Sequence, residues 1–170
     1  MTYHPTTTPL AAAKDTHTYT PTPISKLFST LLGALAVAIE AERDIEHVDV
    51  FDMAFSDWLK EAEAAWDQVT NIQYMLNKAP VSRTEDVPLK LLALLINMTM
   101  AAETPAELRV AQSLLQRNEP WLQCMDNTAT AFRASSMLRQ GRLLLSQIAS
   151  LEQFQPLESD GEFPNATCAA

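Results

Sequence analysis

The sequence predicts a soluble all-α protein, a helical bundle of four long helices plus one short helix, and three observations carry that prediction. Apolar residues recur at three- and four-residue intervals through most of residues 23–154. Only three glycines occur in 170 residues, and the ten prolines fall near the chain ends or at element boundaries, never inside a strong apolar period. Residues that cap helices stand before several of the periodic stretches. Length and apolar content suit one domain with a real core. Residues 1–22, with eight Thr and three Pro, read as a disordered arm, residues 23–154 as the bundle and residues 155–170 as a mobile acidic tail.

Thr22-Pro23 supplies a cap and a first-turn proline for a helix to about Glu46. Its apolar positions include Ile24, Leu27, Phe28, Leu31, Leu32, Leu35 and Ile39. Lys26, the apolar residues after it and Ala36-Val37-Ala38 look like a secretory signal. The long, weakly basic segment ahead and Ser29, Thr30 and Gly33 within the run argue for a bundle helix instead. No run reaches the roughly 18 apolar residues of a membrane span.

The second helix, over residues 51–76, looks like the centre of the bundle. Phe51, Phe55, Trp58, Ala62, Ala65, Val69, Ile72 and Leu76 repeat a four-three spacing without a slip, and Leu59, Trp66 and Met75 widen the stripe. Asp49 is the expected cap, after a tight turn at residues 47–49, and Asn77 to Pro80 the expected stop. In the third helix, to about Ala102, Val87, Leu91, Leu94, Met98 and Ala101 repeat the seam. Leu92 and Leu95 leave it apolar around much of its circumference, so it should be the most buried. Ser82 with Glu85 has capping-box spacing, and Asp86 before Val87-Pro88 offers a second start.

Pro80, Thr84 and Lys90 ahead of this apolar helix resemble a pattern of small uncharacterised helical proteins of alphaproteobacteria and their mobile elements. The resemblance spans about a quarter of the chain, counted by residue. It implies a helical fold and no activity.

Thr104-Pro105-Ala106-Glu107 combines cap, first-turn proline and glutamate, and starts a short helix with Leu108, Ala111, Leu114 and Leu115 inward. Pro120 opens a last helix to about Phe154 with two seams. Trp121, Met125, Thr128 and Phe132 form one; Ala134, Leu138, Gly141, Leu145 and Ile148 form the other. Either the helix turns a new face to the core or it breaks near Asp126-Asn127. Gly141 would permit close helix approach.

The formal charge of −9 argues against direct nucleic-acid binding. Residues 40–67 hold ten acidic and two basic residues, net −8, whereas residues 109–142 hold five basic and two acidic, net +3. These stretches either face each other, are solvated, or present an acidic surface to a basic protein. Two cysteines, Cys124 and Cys168, one in the tail, fit a cytoplasmic protein without a structural disulfide.

Glu40, Asp44 and His47 share a helix face and form the one candidate metal set, half of a ferritin-like motif. No second acid-x-x-His occurs, since His4 and His17 lie in the arm. No catalytic residue, cofactor or phosphate loop is indicated; Cys124, beside Asp126, reads as a core residue. The leading expectation is therefore a non-enzymatic interaction or assembly module that binds a protein partner or itself as a homo-oligomer, away from membranes. The alternatives are an adaptor or inhibitor that engages a basic, nucleic-acid-binding protein through Asp52, Asp57, Glu61 and Glu63, and a metal-binding bundle.

Overall fold

The structure is a computed structural model and describes residues 19–46, 48, 51–126 and 128–151. Within them the chain is all-α, as its periodicity predicts. Helix α1 spans Pro23–Glu46, α2 Phe55–Lys78, α3 Asp86–Met100, α4 Pro105–Arg117 and α5 Ala129–Ile148, with a 3-10 turn at Glu119–Leu122.

Helices α1, α3 and α5 begin at the same end. Thr22, Asp86 and Thr130 line one small cleft there, and about two to three turns further on Phe28, Leu92 and Gly141 converge. Helix α2 packs on α1 and α3, and α4 packs on α3 and the 3-10 turn. The core is built from α1 (Phe28, Leu31, Leu35), α2 (Val69, Leu76), α3 (Leu89, Leu92, Ile96) and α5 (Leu138, Leu145, Ile148).

Helix α3, rather than α2, is the central element. It contacts α1, α2, α4, α5 and the 3-10 turn, whereas α2 packs chiefly on α1. The expected seam of α2 is buried from Ala62 to Leu76, but Phe51 is 90% and Trp58 39% exposed. Two of the predicted knobs therefore lie outside the core. The helix also starts at Phe55, after a turn in which Asp52 Oδ1 accepts from the Ala54 N–H at 2.8 Å. Asp49, the expected cap, and His47 lie outside the described residues.

Helix α3 corrects the sequence reading more sharply. It is the expected buried helix, yet its core face is Leu89, Leu92, Ala93, Leu95 and Ile96. On the predicted seam, Val87 and Leu94 are 53% and 44% exposed, Ala101 is exposed and Leu91 and Met98 are only half-buried. Its start also differs from the expected Ser82–Glu85 box. The buried Asp86 carboxylate accepts from the Ser82 N–H at 2.9 Å and the Arg83 N–H at 3.1 Å, and from the Thr22 hydroxyl.

The last helix breaks. Residues 123–126 are non-helical, and Thr128 caps α5 by accepting from the Ala131 N–H at 3.1 Å. The first seam is thereby left outside, with Trp121, Met125 and Phe132 72%, 85% and 78% exposed. The second seam is buried throughout. Arg142 ties the 3-10 turn back to α5 through the Glu119 carboxylate, 3.3 Å away.

Two expectations at the amino-terminal side also change. Tyr19 and Thr20 belong to the packed structure: Tyr19 Oη donates to Ser25 Oγ at 3.1 Å, and the Thr20 carbonyl accepts from Arg83 at 3.0 Å. And Pro23–Ile45 is long and apolar enough to cross a membrane, with mean hydropathy 1.6, although half of that window is buried inside the bundle.

Candidate functional site

Two surfaces differ from an ordinary solvated helix face. The first lies where α1 ends and α2 begins. Ala41, Asp44, Val48, Trp58 and Glu61 line an open cleft of about 330 Å³. Trp58 sits three residues before Glu61, so its ring and the Glu61 carboxylate leave α2 on one side, opposite Asp44 on α1. Two turns along, Trp66 links the helix pair: its Nε1 donates to Glu42 Oε2 at 3.0 Å.

The sequence-predicted acidic residues divide here. Asp57 and Glu61, four apart, share a face, and Asp57 pairs with Lys60 at 3.2 Å. Glu63 lies about 200° around the helix from Glu61 and points elsewhere. Asp52 belongs to the preceding turn. Neither Lys60–Asp57 nor Arg142–Glu119 joins the acidic stretch to the basic one.

Of the metal candidates, Glu40 and Asp44 are exposed on α1 and His47 lies outside the described residues. Among the described residues, no group of three or more His, Cys, Asp or Glu could hold a metal ion.

The second surface is the groove between α2 and α3, about 220 Å³, floored by Leu76 and Ala93 and edged by Thr70, Gln73, Tyr74, Asn77, Leu94 and Asn97. At its edge the Lys78 Nζ lies over the Tyr74 ring, 4.0 Å from the centroid, and donates to Tyr74 Oη. Gln73 is only 7% exposed. Its Nε2 donates to Met100 Sδ at 3.6 Å, a weak bond, and its Oε1 is buried without a partner. Sequence reading missed this groove because α3 was assigned the wrong face; the run of uncharged residues 68–77 and 91–102 was the available signal.

Cys124 is half-buried beside Leu122, Ser135, Arg139 and Arg142. Burial pushes its thiol up; a hydrogen bond with Ser135 opposes this, and the Glu85 and Asp126 carboxylates add to the rise. The thiol is thus held away from the reactive thiolate form. Lys90 has a structural task, donating from Nζ to the Ala79 carbonyl at the end of α2 at 2.8 Å.

No protein-family model, curated protein or solved structure matches this chain.

Proposed function

We propose that the chain is a non-enzymatic helical interaction module that assembles with itself. The observation that supports this reading most directly is the outward face of α3. A four-three seam of Val87, Leu91, Leu94 and Met98 borders the core face of the bundle's central helix, with Val87 and Leu94 53% and 44% exposed and Leu91 and Met98 half-buried. Such a seam is the pattern by which one helix receives another. Trp121, Met125 and Phe132 are further large apolar side chains left exposed, at 72%, 85% and 78%. The raised thiol of Cys124 adds no support for nucleophilic chemistry.

Sedimentation equilibrium over a range of protein concentrations tests the proposal. A salt-resistant multiple of 18.8 kDa is expected, persisting at about 1 M salt, where the Debye length is about 3 Å. A monomer at every concentration overturns it.

A second reading is favoured by the cleft at the α1–α2 end. Trp58 between Asp44 and Glu61 offers an aromatic face and two carboxylates to a Lys or Arg side chain of a basic protein. Binding of that kind would be released by salt and weakened by neutralising Asp52, Asp57, Glu61 and Glu63. Salt-resistant binding, or binding unchanged in that variant, removes this reading.

A further inference from the structure

We propose that the outward face of α5 is a docking surface for an acidic, apolar segment, and that its occupant is residues 152–170 of the same chain, folded back along the helix. The inference goes beyond the self-assembly reading and does not depend on it.

The face stands apart in an acidic chain. Phe132, Ser136, Arg139 and Leu143 follow one another at intervals of four, three and four, which sets them within about 60° on one side of the helix. All four are exposed, Phe132 by 78% and Leu143 by 59%. Arg133 and Arg142 flank this stripe on opposite sides. Helix α5 therefore holds three arginines and no carboxylate, although the chain carries a net −9. Arg142 is paired with Glu119. Arg133 and Arg139 are exposed, and among the described residues neither is in an ion pair. Arg139 and Arg142 also line a cleft of about 370 Å³ that opens onto Leu122 and Leu138.

Charge and tether select the occupant. Residues 152–170 contain Glu152, Glu158, Asp160 and Glu162, no Lys, Arg or His, and the apolar Phe154, Leu157 and Phe163. Residues 1–18 hold one Lys against one Asp and offer the arginines no such complement. The segment also leaves from the right place. Leu151, 2% exposed, is packed into the core just past the end of α5. Arg139 lies about 14 Å back along the axis from Ile148, and the seven residues from Leu151 to Glu158 reach up to about 23 Å. From Glu158 to Phe163 an extended chain covers about 17 Å more, enough to carry three carboxylates past Arg139 and Arg133 and to set Phe163 against Phe132. Exposed ion pairs are individually weak, but a tethered segment meets its surface at a high effective concentration. Docked there, residues 152–170 cover Phe132 and Leu143, and an acidic partner gains the face only by displacing them.

The full chain with Cys124→Ser and a nitroxide on Cys168 tests the proposal, read as broadening of backbone amide signals by NMR. Signals of residues 132–143 should broaden. The broadening should be lost when Glu158, Asp160 and Glu162 are all changed to Lys, lost again in Arg133→Glu with Arg139→Glu, and restored when the two sets are combined. Broadening confined to residues next to Leu151, or indifferent to either charge reversal, overturns the proposal. So does equal broadening of isotope-labelled copies by spin-labelled copies mixed with them, because the occupant is then a second molecule. Should Cys124→Ser fail to fold, the chemical shifts of residues 132–143 decide without the label: they should move on reversal of the three carboxylates and return in the combined variant, and unchanged shifts overturn the proposal.

Discussion

At the scale of single residues, the bundle depends on a few side chains that do more than fill space. Asp86 joins three segments: the α1 cap at Thr22, the turn at Ser82 and Arg83, and the start of α3. Removing it leaves two backbone N–H groups and a buried hydroxyl without their acceptor. Hydrogen bonds to a charged group are worth about 1.5–3 kcal/mol each, so Asp86→Ala should cost roughly 3 kcal/mol after solvent recovers some of them. That corresponds to a fall in Tm of about 6–12 °C, and a fall below 2 °C would show that the junction is held by packing alone. Gly141 is set by proximity: a Cβ there would lie 2.8 Å from Leu92 Cδ2 and 3.3 Å from Phe28 Cζ. Overpacking costs about 1–3 kcal/mol and the better helix propensity of alanine returns about 1, so Gly141→Ala should be destabilising by about 1 kcal/mol. A more stable variant would mean that Leu92 yields easily. For Cys124 the sign follows from burial. A thiol whose folded pKa is raised contributes stability below the ordinary thiol range and loses it as pH rises through the folded value. Alkylation by iodoacetamide near neutral pH should be slower than for an unstructured peptide thiol, and a rate equal to the peptide's would contradict the burial seen here.

Among the elements, the starts of α1 and α4 were legible in the sequence, whereas those of α2 and the last helix lie elsewhere than expected and the face of α3 was misassigned. Thr104 forms the full capping box with Glu107, its side chain accepting from the Glu107 N–H at 3.2 Å. Local chemistry alone specifies that start. Thr104→Ala should cost about 1 kcal/mol, a Tm loss of roughly 2–4 °C; no change would mean that α4 is held by Leu108 and Ala111 without its cap. The face of α3 was not legible for a physical reason. Apolar residues surround the helix, so both Val87–Leu91–Leu94 and Leu89–Leu92–Ile96 satisfy helical spacing. The choice is made by a distant feature, the space that Gly141 opens for Leu92. The two seams of the last helix were legible; the sequence left a turn of the face and a break both open, and the structure has the break, with Thr128, expected on the first seam, capping α5 instead. What the seams could not reveal is that the first remains exposed, since no sequence period distinguishes a core face from an interface face.

For the whole molecule, the up-down order concentrates charge unevenly. The end of α1 and the start of α2 bring most of the net −8 of residues 40–67 to one end. The sequence showed the charge imbalance, but whether the basic stretch neutralises it depends on packing order. Arg142 turns to Glu119 instead of the acidic end. Crowded carboxylates at one end repel one another, and that repulsion is relieved on unfolding. Raising ionic strength from about 0.01 to about 0.15 M shortens the Debye length from about 30 to about 8 Å and should screen much of it. Thermal unfolding followed by circular dichroism should therefore show Tm rising by roughly 2–4 °C, equivalent to about 1 kcal/mol. Neutralising Glu61 should remove part of that salt dependence, because it lines the cleft with Asp44. A Tm that is flat or falling with salt in wild type would mean that the acidic end is already neutralised within the fold, and the cleft beside Trp58 would then lose its attraction for a basic partner.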